Sequence, residues 1–430
     1  MNTRRATAVL LGAALLVAAL VTPAGAQPVH TGASTTYQVD ARHAGSLVDT
    51  AVGAPPLGRK WSRDLGGDVS YPVVAGGRVF ATAVSPSGHS TTLYALDAAT
   101  GENAWAPVDL GSTRPWSALA YGGGRLYAQT YDGVLTAFDP ATGAKIWTVT
   151  LPWQSSFTSP PTFAGGVVYT GGAGSGGTVY AVDAARGALL WTQSVANGDD
   201  SSPAVTAKGV YVSYACEQTY AFDPRSGSPL WHHRTDCSGG GGRTPVVADG
   251  GVWIRDGAGM APSVLRTGTG RVRSTYDAGP APAFDGLQGY FVDGGVLRER
   301  YTPTLATRWT FQGDGRISTA PIVVNGYVYV GSRNGLLWAL DGATGRSVWS
   351  TDVGAPIDGP DEQNVSQPLT GLGAGGGLVV VPATHLLVAY GHRAAGVACG
   401  PTCGGGGRDH PSWPGSSPTA LHRPPAARGR

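Results

Sequence analysis

The sequence predicts an all-β fold: an eight-bladed β-propeller of four-stranded antiparallel blades, closed by strand exchange. Three observations predict it. One phrase, Ala-x-Asp-x-x-x-Gly-x-x-x-Trp, returns five times along the chain. Aromatic markers recur from one end of that region to the other at about 40 residues, the size of one propeller blade. No window carries the 3.6-residue apolar period of a long helix.

The elements follow in chain order. Arg4 and Arg5 precede an apolar run from Ala6 to Val21, and Ala24-Gly25-Ala26 offers small residues at a cleavage position. Residues 1–26 therefore read as a secretory signal peptide, which places the rest outside the cytoplasm. The run is shorter than the roughly 20 residues that a membrane span needs, and no later stretch reaches that length. Residues 27–58 form an N-terminal lead-in with no repeat signature. Residues 59–391 carry the propeller.

The full repeats are Ala95, Asp97, Gly101, Trp105; Ala137, Asp139, Gly143, Trp147; Ala181, Asp183, Gly187, Trp191; Ala221, Asp223, Gly227, Trp231; and Ala339, Asp341, Gly345, Trp349. Trp61 opens the series, Tyr276 stands where a Trp is expected, and Trp309 ends a weak copy. A last partial copy ends near Ala389-Tyr390-Gly391. Each period reads as four strands. In the first, residues 71–75 and 78–82 flank a Gly76-Gly77 hairpin turn, residues 93–97 make a third strand and residues 103–107 begin a fourth. The repeated residues read as scaffold. The Asp accepts hydrogen bonds from its own turn, the Gly permits the tight return, and the Trp fills the wedge between blades while its N–H finds a partner.

Trp61 precedes any complete blade, and the last period stops without its own Trp strand. Pairing residues 59–65 beside 385–390 completes blade eight and covers two sheet edges that would otherwise aggregate. Beyond it, residues 392–430 read as a Cys turn and a disordered tail rich in Gly, Pro and Arg, which Trp413 alone cannot hold.

The repeated phrase resembles the tryptophan-docking motif of the quinoprotein, or PQQ-repeat, β-propeller family over roughly residues 59–391. The resemblance implies one of two functions. Some members are dehydrogenases that hold pyrroloquinoline quinone and calcium on the propeller axis. Others, such as the bacterial outer-membrane assembly scaffold, have the repeats and no cofactor. The quinoprotein alcohol dehydrogenases carry a vicinal Cys-Cys disulfide over the quinone, and no two cysteines are adjacent here. Motifs for covalent haem, a nucleophilic Ser, a zinc helix or a phosphate loop are missing as well. The expectation is a secreted, monomeric, non-catalytic binding or scaffold propeller without a cofactor, its partner a protein or a cell-surface polymer. The alternatives are a PQQ/calcium-dependent oxidoreductase and a propeller glycan hydrolase or lyase.

Charge narrows the partner. Without the signal and residues 404–430, acidic groups slightly outnumber basic ones, and no Lys/Arg runs occur. A nucleic-acid partner, whose phosphates demand a basic patch, is excluded. In propellers of this kind the loops from strand four to the next strand one gather, with the strand two-to-three loops, at one mouth of the channel. The former supply the candidate binding residues: Arg114, Trp116, Trp153, Asp199, Asp200, Arg243, Arg316, Asp361 and Glu362. Trp and Arg are favoured interface anchors. The carboxylate pairs could join a calcium site, which needs about six oxygens.

Four cysteines remain. Cys399 and Cys403 close a short Cys-Gly-Pro-Thr-Cys turn. Cys216 ends a second strand and Cys237 follows a fourth strand of the same blade. Those strands lie roughly 9–10 Å apart, and a disulfide needs Cα atoms within about 7 Å. Both cysteines must then sit in loops that bend together at the mouth, where a disulfide would pin Gly239 to Gly242. His232 and His233 nearby do not suggest a metal, since adjacent strand residues face opposite ways.

Overall fold

The computed structural model describes residues 30–237, 239–255 and 261–392. Within them eight blades, each built on four antiparallel strands, form a propeller, with short extra strands added to two of the sheets, and no helix is long and apolar enough to cross a membrane. The expected signal peptide, the Cys399/Cys403 turn and the tail with Trp413 lie outside the described residues.

Blade one shows the plan: Val73–Ala75, Arg78–Val84, Thr91–Asp97 and Val108–Asp109 pair in sequence order. Its fourth strand is shorter than expected. Asn103 bridges Leu96, the ladder breaks, and pairing resumes after Pro107, which has no N–H to give. The first strands of neighbouring blades pack on one another, so they line the channel. Their apolar residues are buried on both faces, as in the Val73–Ala75 and Ile322–Val324 strands.

The Trp repeat docks most blades on the next. The Trp147 indole N–H donates to Ala184 O at 3.1 Å, Trp191 to Pro224 O at 3.1 Å and Trp309 to Gly342 O at 3.0 Å. The ring covers the repeat Gly of the following blade. A Cβ built at Gly143 would stand 2.7 Å from Trp105 Cδ2, and at Gly143 φ is +74°. Only glycine meets both demands. The repeat Asp closes its turn as expected: Asp139 Oδ1 accepts from the N–H groups of Ala141 and Thr142 at 2.9 Å each. The turns of Asp97, Asp183 and Asp223 repeat this bonding, and Thr344 makes it to Asp341. The remaining docking glycines, Gly101, Gly187, Gly227 and Gly345, lie under Trp61, Trp147, Trp191 and Trp309. Trp231 covers Gly270, and Trp349 instead meets Tyr390 edge-on at 5.4 Å.

Blade five corrects the expected register. Four residues beyond Gly270 stands Ser274, and Ser274 pairs with Val264 as Trp231 pairs with Ala221. Tyr276 is two positions further on. Residues i and i+2 share a strand face, so Tyr276 is still buried at the blade five–six wedge, edge-on to Trp253 at 5.2 Å. Opposite Ser274, blade six has Leu305 at φ +58° in place of the docking glycine. Its N–H bonds to Tyr301 O at 2.7 Å, as Gly345 bonds to Asp341 O at 2.8 Å.

Closure follows the expected exchange. Leu57–Asp64 pairs antiparallel with Leu386–His392, giving blade eight the strand order fourth, third, second, first. Trp61 then donates to Ala98 O of blade one at 2.9 Å, so the docking chain crosses the seam.

The lead-in has a role that its sequence does not announce. Residues 32–49 circle the inner strand edges, with backbone bonds in ring order. Val74 N–H donates to Ser34 O at 2.9 Å, Tyr121 to Thr35 at 2.7 Å, Val205 to Ala41 at 2.6 Å, Val247 to Arg42 at 2.9 Å, Phe284 to Ala44 at 2.8 Å and Val323 to Gly45 at 2.7 Å. Thr36 Oγ1 donates to Pro161 O at 2.9 Å, and Asp49 Oδ2 accepts from Gly377 N–H at 2.9 Å. The loop therefore meets every blade and plugs the channel on the hairpin side. Asp40 is fully buried inside it and is bound by Arg42 Nη2 at 2.9 Å and by the N–H groups of Arg42 and Ala44 at 3.0 Å each.

Candidate functional site

The opposite mouth, where the four-to-one and two-to-three loops gather, holds a cavity of about 670 Å³ between blades five and eight. Four of the nine expected residues line it: Arg243, Arg316, Asp361 and Glu362. They come from the four-to-one loops that enter blades five, seven and eight. Two charged lining residues lie outside the expected set. Arg255 ends the second strand of blade five, after Gly251–Ile254, and Arg333 follows the second strand of blade seven. A charged residue directly behind a buried apolar strand was the available signal for Arg255.

Arg255 and Glu362 form the floor. Their side chains are 2% and 4% exposed, and Arg255 Nη2 donates to Glu362 Oε2 at 2.8 Å. Thr244 N–H donates to Glu362 Oε1 at 2.8 Å, so both carboxylate oxygens have partners. Arg255 also donates to Gly279 O and Thr244 O at 3.0 Å each. Its Nε has no acceptor among the described residues. Burial by itself would lower the Arg255 pKa, but the Glu362 carboxylate with its hydrogen bond, together with Tyr37 and Tyr276, raises it on balance, so the guanidinium stays charged. Beneath the floor lie groups of the plug. His43 is fully buried, with Nδ1 2.7 Å from Tyr37 O and Nε2 3.2 Å from Pro203 O, and burial pushes its pKa down.

The other expected residues go elsewhere. Trp116 is 1% exposed and belongs to the core between blades one and two, so it offers no binding surface. It directly precedes the apolar first strand Ser117–Gly122, and the chain carries it inward. Arg114 remains on the surface, its guanidinium 5.9 Å from the Tyr131 ring centre. Trp153 is 68% exposed but stands outside the cavity. Asp199 and Asp200 are a second group, at the blade three–four loop. Thr158 Oγ1 donates to Asp200 Oδ1 at 2.5 Å. Burial first, and then the Asp199 charge, push the Asp200 pKa up to about 8. Asp199 is raised too, by burial, and its Oδ1 has no partner among the described residues.

The disulfide joins Cys216 to Cys237 with Cα atoms 5.5 Å apart. Cys216 and Glu217 have φ of 63° and 52°, which turns the strand end toward Cys237. The glycine loop is held beside it by backbone bonds: Ala215 N–H donates to Gly241 O at 3.0 Å, and Tyr214 bridges Gly242.

The chain is similar to known proteins of more than one kind. A family profile described as outer membrane protein assembly factor BamB matches residues 20–107, 131–283 and 277–395. The BamB of Moranella endobia is 25% identical over 242 residues, 54% of this chain and 56% of that protein. The dehydrogenase subunit of a quinone alcohol dehydrogenase from Gluconacetobacter polyoxogenes is 27% identical over 349 residues, 70% of this chain and 44% of that one. The chain thus spans about half the length of these relatives. The crystal structure of BamB from Moraxella catarrhalis superposes with a TM-score of 0.57 at 20% identity, covering 79% of this chain and 99% of that one.

Proposed function

Because the chain belongs to the PQQ-repeat propeller family, and to its BamB-type branch by profile, we propose that it is an exported, monomeric, non-catalytic propeller that binds a partner at the four-to-one mouth. The observation that carries this reading is the convergence of Arg243, Arg316, Asp361 and Glu362 on one cavity there. The partner is a protein or a cell-surface polymer. Three features support binding over catalysis. Glu362 is fully engaged by Arg255 and Thr244 and is not free to act as a base. The inner end of the channel is filled by Tyr37 and His43 of the plug, both buried. No three His, Cys, Asp or Glu side chains converge as metal ligands among the described residues, which supports a reading without a calcium-held quinone.

The quinone alcohol dehydrogenase relative favours one rival, a quinone-dependent oxidoreductase. Incubation with pyrroloquinoline quinone and calcium, followed by gel filtration, absorbance and dye-linked alcohol oxidation, separates the two. The binding reading expects no retained quinone and no dye reduction. Stoichiometric quinone with turnover would overturn it. In parallel, capture from the native culture medium should lose its partner when Gln363, on the cavity wall, is changed to Trp.

A further inference from the structure

We propose that the mouth cavity is an oxyanion site, which takes a carboxylate or phosphate group of an acidic polymer. This deepens the reading of the mouth as the binding face and rests on it. Four guanidinium groups line the cavity against two carboxylates. One carboxylate, Glu362, is neutralised by Arg255. That leaves Arg243, Arg316 and Arg333 facing one exposed carboxylate, Asp361. No carboxylate among the described residues lies within ion-pair distance of those three guanidiniums, although the body of the protein carries slightly more acid than base. Positive charge is therefore concentrated at this mouth against the trend of the body of the protein.

The second observation is independent of net charge. Arg255 is 2% exposed and is fixed by three hydrogen bonds, and its Nε–H, itself buried, has no acceptor among the described residues. A buried donor left without a partner is costly, and an oxyanion that displaces the groups covering it at the floor gains that bond. Arg presents its donors as a planar fork that matches carboxylate and phosphate oxygens. Gly294, Gly295 and Gly315 on the wall have no side chains to hold a ligand away from the backbone. The volume lies within the roughly 300–1,000 Å³ of small-molecule sites. Arg316 and Arg333 are exposed at the rim, so a chain end can enter while the rest of the polymer extends into solvent.

Calorimetric titration of the full chain with oligogalacturonate, poly(glycerol phosphate) and neutral malto-oligosaccharide tests this. The two acidic ligands distinguish carboxylate from phosphate. At least one should bind, and the neutral chain should not. The Arg316→Gln/Arg333→Gln double variant, with both changes at exposed positions, should keep its melting temperature and bind at least tenfold more weakly. Raising the salt to about 0.5 M should weaken binding similarly. Acidic ligands that bind the double variant as well as the parent, or that do not bind at all, would overturn the oxyanion assignment. A neutral chain that binds and is blocked by Gln363→Trp would also overturn it, while leaving the mouth reading intact. Acidic binding that survives both the Arg changes and Gln363→Trp would overturn both.

Discussion

At the residue scale, the docking Trp and its glycine are one unit, and blade five shows the unit replaced as a pair. Ser274 removes the ring, and Leu305 then carries a side chain where every ring-covered position has glycine. Ser274→Trp alone should force the ring onto Leu305 and cost about 1–3 kcal/mol as overpacking. Adding Leu305→Gly should recover at least about 1 kcal/mol, measured as coupling in a denaturation double-mutant cycle. Additive effects would show that the two positions do not share one space. The repeat made most docking residues legible in the sequence. Ser274 was not, because Tyr276 lies on the same face and keeps the aromatic spacing. The same scale holds a pH effect. Asp200 is raised to about 8 from an ordinary 3.8, so its folded form holds the proton more tightly than its unfolded form. Its contribution to stability is then greatest below about pH 4 and is lost as pH rises through about 8. Asp199 titrates with it. Asp200→Asn should therefore melt several degrees above the parent at pH 8.5 and close to it at pH 4. Parallel melting curves for the two proteins across this range would refute the shift.

Among the elements, the disulfide and the plug differ in how they could be read. Interstrand spacing placed Cys216 and Cys237 in loops at strand ends, and the bond forms there at a Cα separation of 5.5 Å. The plug left no side-chain pattern because its contacts are mostly backbone to backbone, each with a different blade. Its shape depends on Asp40, which gathers the Arg42 guanidinium and two backbone N–H groups in a fully buried place. Asp40→Ala leaves the Arg42 charge without this carboxylate. It should cost about 3–5 kcal/mol, as for a broken buried pair, read from the urea midpoint at unchanged slope. A loss under about 1 kcal/mol would mean that the ring of backbone bonds holds the loop unaided.

For the whole molecule, the circle is what the sequence made most legible, and the site what it made least. Five full repeats count blades whatever the loops contain. The mouth loops could be located between blades, but which side chains turn inward depends on strand register. Hence Arg243 and Arg316 were found, Arg255 and Arg333 were missed, and Trp116 went into the core. Closure and plugging are separable, and two truncations separate them. A chain beginning at residue 54 loses the plug but keeps Leu57–Asp64 on the edge of Leu386–His392. It should remain soluble, with a lower melting temperature and faster amide exchange in the first strands. A chain beginning at residue 66 also loses that outer strand and the Trp61 dock on Gly101. It exposes Leu-Leu-Val-Ala-Tyr, a flat apolar edge without gatekeeper charge, and such edges pair with other chains. It should aggregate at micromolar concentration in light scattering, while the longer chain does not. If the shorter chain stays monomeric and melts cooperatively near the parent temperature, the exchanged strand is not what closes the ring.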